Sequence, residues 1–324
     1  MKSLLIALSI LFSIPLFAAP EERLVIGAEG RKSVSIIDPG DSNRVLWQFP
    51  LNGGVHALHL LPGFTILTQN GWTDLIEVNL NKDVVWSYDA KTTNREAEVP
   101  KLEVHAIQRL ENGTTMIAES GASRLIEVDA EGSLIKQFPL AVTESNGHSD
   151  TRQVHKLDNG HYLVAHEADQ IVKEYDPTGN VIWEFPVPLF GKEPANGHGP
   201  EAFGGRTFSA IKAKNGNYLI ATGNGHSVLE VTPEKDIIWK IEQNDLDGIV
   251  LAWITTLQEL DNGNLIIGNC HAGPDNPQII EITRDKEVVW SFNDFETFGN
   301  ALAVSLVIDG AQAKALRARL ESNE

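Results

Sequence analysis

The stretch "NGNYLIATGNGHSVLEVTPEKDIIW", residues 215–239, decides the fold. Its apolar residues come in short runs of period two, Tyr218-Leu219-Ile220-Ala221, Val228-Leu229-Glu230-Val231 and Ile237-Ile238-Trp239, the spacing of strands and not of a helix. Asn215-Gly216 makes a hairpin turn before the first run, and Thr232 to Asp236 turn the chain between the second and third. Elsewhere a further strand precedes the matching Asn-Gly, as in "HAIQRL" (105–110), "QVHKL" (153–157) and "TTLQEL" (255–260). One unit is therefore a four-stranded antiparallel meander.

The unit recurs. Residues 262–290 read "NGNLIIGNCHAGPDNPQIIEITRDKEVVW", residues 159–185 "NGHYLVAHEADQIVKEYDPTGNVIWEF", residues 112–138 "NGTTMIAESGASRLIEVDAEGSLIKQF" and residues 63–88 "GFTILTQNGWTDLIEVNLNKDVVWSY". A degenerate copy, "LVIGAEGRKSVSIIDPGDSNRVLWQF", covers residues 24–49. Trp47, Trp86, Trp183, Trp239 and Trp290 share one repeat position, which Lys136 occupies once. A period of roughly 40–55 residues means an array or a propeller. The first copy has only its second to fourth strands, and "ALAVSLVI" (301–308) stands alone at the far end. The expected fold is an all-β, six-bladed propeller over residues 20–310, its ring closed by the C-terminal strand joining the N-terminal blade so that no sheet edge stays open. Residues 311–324 read as a short surface helix with no evident task.

Residues 1–19 read as a secretory signal: Lys2, an apolar run from Leu4 to Phe17, then Ala18-Ala19. That run is too short to span a bilayer comfortably, so the expectation is a periplasmic or secreted protein with no membrane insertion once the signal is removed. Cys270 is the only cysteine, which excludes a disulfide framework or a cysteine metal cluster within one chain. The formal net charge of −18 has no basic cluster to set against it, which excludes nucleic acid as a partner.

The segments "DPTGNVIW" (176–183) and "DPGDSNRVLW" (38–47) resemble the docking turn of quinoprotein-like (PQQ-type) propeller repeats. That resemblance implies a propeller whose tryptophans pack between neighbouring blades. The quinone-using dehydrogenases of that family have eight blades and adjacent cysteines, so the quinone is not carried over to a chain with six blades and a lone Cys270. "HAIQRLENG" (105–113), "VHKLDNGHYL" (154–163) and "TTLQELDNGNLI" (255–266) resemble arylsulfotransferase-like six-bladed propellers, which implies a channel rich in His and Arg and sulfuryl transfer through a histidine.

Antiparallel pairing brings the starts of first strands and the ends of second strands to one face of the ring. His56, His105 and Arg152 stand at first-strand starts; Glu119, His166 and Asn269 at second-strand ends, with Glu29, Glu167 and His271 just beyond. Two long connections add His148, His198 and Arg206, and the turn after the fifth blade's second strand adds Asn224 and His226. Seven of the ten histidines thus map to this mouth; His59 and His155 lie inside first strands and His161 on the opposite face. Catalytic roles are expected for His105, His166, Glu119 and Arg152, and ligand contacts for His56, Trp253, Arg206, His198, Asn224, His226 and His271. His166, Glu119 and Asn269, at equivalent places in different blades, are expected to face one another as ligands to a divalent metal. Trp253 and Trp72 leave the repeat position and offer an aromatic platform of the kind that holds sugars. Three functions follow: binding of a small polar, carbohydrate-like ligand at the mouth; an enzyme on the same face, either a metal-assisted lyase or hydrolase or a group transferase; or a scaffold whose acidic rim docks a protein partner.

Overall fold

The computed structural model describes residues 22–28, 33–94, 99 and 101–322. The signal read in residues 1–19, and Glu29, lie outside them.

Among the described residues the chain forms six four-stranded antiparallel sheets. The fifth blade is the opening stretch realised: Tyr218–Ala221, Val228–Val231 and Ile237–Ile241, with Ser209–Lys212 as its inner strand. Every later blade starts at its inner strand and meanders outward. The first does not: Arg23–Ala28, Ser33–Asp38 and Arg44–Pro50 take their inner strand from Val304–Asp309, in antiparallel register from Arg23↔Asp309 to Ala28↔Val304. Arg23 locks this closure, its Nε and Nη2 donating to Asp309 at 2.6 and 2.8 Å. The far end of the chain therefore completes the near end, as the strand count predicts.

The repeat tryptophans join each blade to the next. Trp47 Nε1 donates to Leu80 O, Trp86 to Ala130 O, Trp183 to Pro233 O and Trp239 to Arg284 O, each at 2.8–3.0 Å and each into a turn of the following blade. Trp290 instead carries the Arg23 guanidinium on its face, and Lys136 donates to Tyr162 Oη at 3.0 Å. A second ladder runs beneath. Opposite the tryptophan position stands a buried or half-buried glutamate that reaches into the next blade: Glu77 to Arg109, Glu127 to Tyr162, Glu174 to Tyr218, Glu230 to Arg284 and Glu281 to Arg23. Between the blades lie apolar clusters rather than one central core.

The C-terminal helix, Gly310–Glu321, has a task after all. It buries Ala313, Leu316 and Leu320 in the cluster of the first blade, and Arg317 pairs with Asp38. No helix among the described residues is long and apolar enough to cross a membrane. Far-ultraviolet circular dichroism should show a β spectrum with helix well below the roughly one third of an average globular protein; helix above about a fifth of the chain would contradict this architecture.

Candidate functional site

Each blade turns the faces of its sheet toward its neighbours and only its inner edge toward the axis. Side chains on second strands therefore pack between blades, whereas inner-strand starts and the loops around them reach the mouth. This sorts the candidate residues.

His56, His105 and Arg152 do converge. His56 Nδ1 lies 2.7 Å from His105 Nδ1, and Arg152 Nη1 lies 3.0 and 3.3 Å from the same two atoms. Arg152 is itself held by a buried ion pair to Glu167, which Arg206 approaches at 3.8 Å. On its other side His105 Nε2 faces Glu103 Oε2 and Gly147 O, both at 3.2 Å, and His148 Nδ1 meets the same Glu103 oxygen at 2.7 Å. Trp72 flanks this group, its ring 5.2–5.6 Å from those of His56, His105 and His148. Beside it a cavity of about 670 Å³ is lined by Trp72, Lys91, Asn94, Lys101 and Glu103 among others.

Local structure explains why these groups meet. His105 is the extra residue of a β-bulge: Val104 pairs with Glu119 and Ala106 with Ala118, so His105 has no residue opposite it. Bulges commonly re-aim a side chain beside a site. The loop carrying His148 comes close because Gly147 and Gly121 lie against the Lys101 carbonyl, where a Cβ would stand 2.3 and 2.1 Å from that oxygen. Gly121 also has φ +85°, the left-handed region glycine favours.

A second lobe of the mouth holds Trp253, with the exposed His198 ring stacked on it at 5.0 Å and His271 at 5.3 Å from His198. Burial holds His271 down to about 4. Burial and then the Arg152 charge do the same to His105, to about 4, and push His56 well below its ordinary value. At neutral pH these imidazoles are uncharged and keep a lone pair. Glu103 lies far below the usual carboxylate range, its burial outweighed by contacts from His105 and His148.

The remaining candidates turn away. His166 donates and accepts within the fold, Nδ1 at 2.9 Å from Asp150 O and Nε2 at 2.9 Å from Tyr175 Oη. Glu119 takes Arg124 Nε at 2.5 Å and Asn94 Nδ2 at 3.0 Å. Asn269 clamps its own blade, accepting from Ala252 N and donating to Val250 O and Pro277 O. The expected metal trio of His166, Glu119 and Asn269 is therefore not assembled, and neither is a catalytic group of His105, His166 and Glu119. Asn224 accepts from Arg206 N, and buried His226 sets both ring nitrogens against backbone carbonyls, Ala252 O and Ala202 O. The histidine of the opening stretch ties two blades together. Glu103, which the sequence reading passed over, stands two residues before His105 in "LEVHAIQ", at the first position of its strand.

A family model described as Mal s 1 allergenic protein-like matches residues 74–281, more than half of the chain. The chain belongs to the Mal s 1 allergenic protein-like family. None of the curated proteins compared with it matches. Among solved structures this Mal s 1-like propeller is similar to a protein of unknown function from Bacteroides caccae, with 24% identity over 90% of this chain and 99% of that one and a TM-score of 0.71. It is also similar to a streptogramin B lyase, at 12% identity over 86% and 85% of the chains with a TM-score of 0.57. A catalytically inactive virginiamycin B lyase from Staphylococcus aureus with quinupristin gives 10% identity, 84% and 80% coverage and a TM-score of 0.57. At such identities these likenesses establish the fold and nothing more. The resemblance of the repeats to quinoprotein-like units likewise carries as far as the propeller.

Proposed function

We propose that the mouth of this propeller binds a small polyhydroxylated ligand carrying an anionic group, a sugar acid in chemical class. The observation that carries the reading is that three cations, Arg152, Arg206 and Lys101, gather against two carboxylates, Glu167 and Glu103, with neutral histidines beside the Trp72 ring, in a chain whose net charge is −18. Cations gathered on one face of an acidic protein give an anion its place, and the indole face beside Lys91, Asn94 and Lys101 suits a ring bearing hydroxyls. A scaffold surface has no use for uncharged, buried imidazoles. The leader-like residues 1–19 suggest that binding takes place outside the cytoplasm.

Calorimetry with a uronic acid, the matching neutral sugar and an aryl sulfate tests this. The uronate is expected to bind, and Arg206→Ala, at a half-exposed position, to weaken it by about tenfold or more, the scale of one hydrogen bond to a charged group. Equal affinity for uronate and neutral sugar, or an Arg206→Ala variant that binds like the parent, sinks the reading. Catalysis on the same face is a second reading. It is favoured by half-exposed His148, whose Nδ1 lies 2.7 Å from Glu103 Oε2, the arrangement of an imidazole oriented by a carboxylate.

A further inference from the structure

We propose that Glu103, His105 and His148 form a site for a borderline divalent transition metal such as Zn²⁺. The inference stands independently of the sugar-acid reading.

The geometry begins at Arg152. A guanidinium only donates, and its Nη1 lies 3.0 Å from His56 Nδ1 and 3.3 Å from His105 Nδ1, which are themselves 2.7 Å apart, so the Nδ1 edge of His105 is fully engaged. The Nε2 of His105 faces Glu103 Oε2 and Gly147 O, each at 3.2 Å, in a place where His105 is fully buried. An imidazole nitrogen, a carboxylate oxygen and a carbonyl oxygen, each able to ligate a metal, thus converge on one buried point.

His148 completes the set. One ligand atom from each of Glu103, His105 and His148 lies within 4.8 Å of the others, so small side-chain movements bring them to the separations of about 3.3–3.6 Å that bonds of about 2.0–2.2 Å set around a tetrahedral metal. A metal bound at the His148 nitrogen that faces Glu103 at 2.7 Å requires that neutral imidazole to carry its proton on Nε2, and the metal replaces the hydrogen bond between the two side chains. Two imidazoles and one carboxylate suit zinc and its neighbours better than magnesium or calcium, which prefer oxygen throughout. The His105 Nδ1 contact to His56 is the outer hydrogen bond that commonly fixes a ligating imidazole in the right tautomer. His148 is half exposed, which leaves a side of the site open to water or to an oxygen of a ligand.

The test uses the full-length mature protein stripped with a chelator and titrated with Zn²⁺ alone, followed by calorimetry, and with Co²⁺, followed by its visible absorption. Saturable binding near one metal per chain is expected. His148→Ala, at an exposed position that folding does not need, and Glu103→Gln should each weaken it by about tenfold or more. His161→Ala, on the opposite face, serves as control and should bind like the parent. Absence of one-to-one binding in the parent overturns the proposal, as does either His148→Ala or Glu103→Gln binding as tightly as the parent. No sugar is present in this experiment, so its failure is separate from failure of the ligand reading.

Discussion

Deleting residues 299–309 should leave no cooperatively folded protein. The deletion removes Val304–Asp309, the inner strand of the first blade, and with it the register from Arg23 to Ala28 and the paired contacts of Arg23 to Asp309. What remains is a ring with a gap and an unpaired inner edge. Solubility and a urea melt of the truncated chain check this; a soluble monomer unfolding cooperatively near the parent's midpoint would show that the ring closes some other way. The tail helix acts on a smaller scale. From sequence, residues 311–324 read as a surface helix with no evident task; with Leu316 fully buried, Leu316→Ala should instead cost about 2–5 kcal/mol, the range for a leucine cut back in a packed core.

The second large effect is acid destabilisation between about pH 6.5 and pH 4, a window set by histidines that fold uncharged. His166 is the clearest. Ala141 N donates to Tyr175 Oη at 3.1 Å, that hydroxyl donates to His166 Nε2, and His166 Nδ1 donates to Asp150 O. The chain of bonds is satisfied only if the ring is neutral, and burial holds its pKa down to about 4. His155, lowered to about 4 by burial and by His59, behaves alike, although it lines the axial shaft and water reaches it. The sign follows from linkage. Below pH 6.5 the unfolded chain takes up protons that the folded one refuses until about pH 4, so stability falls as pH falls through this window and levels off beneath it. A fully buried histidine shifted this far contributes up to roughly 3 kcal/mol, and the half-wet His155 less. Two or three such groups rival the whole stability of a typical domain, about 5–15 kcal/mol. Urea melts at pH 7.5, 6.0 and 4.5 should show the fall, with a shallower fall in His166→Gln. A stability flat across these points, or an unchanged slope in the variant, would contradict it.

The fold was legible because a repeat shows its own grammar. Trp47, Trp86, Trp183, Trp239 and Trp290 recur at one position because each must reach the next blade, and the strand count required the last strand to complete the first blade. The glutamates opposite them, in "LIEV", "VKEY", "VLEV" and "IIEI", recur as plainly, but strand alternation alone does not say that they face a neighbouring sheet. The site was half legible for a related reason. His56, Arg152 and His148 sit on inner edges and loops, where the axis is the only direction left open. His166, Glu119 and Asn269 sit on second strands, whose faces belong to adjacent blades, so equivalent positions around the ring point past one another. Glu103 escaped because its role depends on the bulge at His105, which leaves no mark in a periodic pattern.

The closing strand also sets a clock. Arg23 and Asp309 are 286 residues apart, and at a synthesis rate of about 5–20 residues per second the strand Arg23–Ala28 waits roughly a quarter of a minute to a minute for its partner to exist. All six of its residues are buried in the finished ring, so for that interval an apolar segment with a bare edge is available to any other strand it meets. Contacts of such long range also slow folding itself. The first blade to be made is thus the last to be finished, and the nascent chain is most open to mispairing at its own beginning.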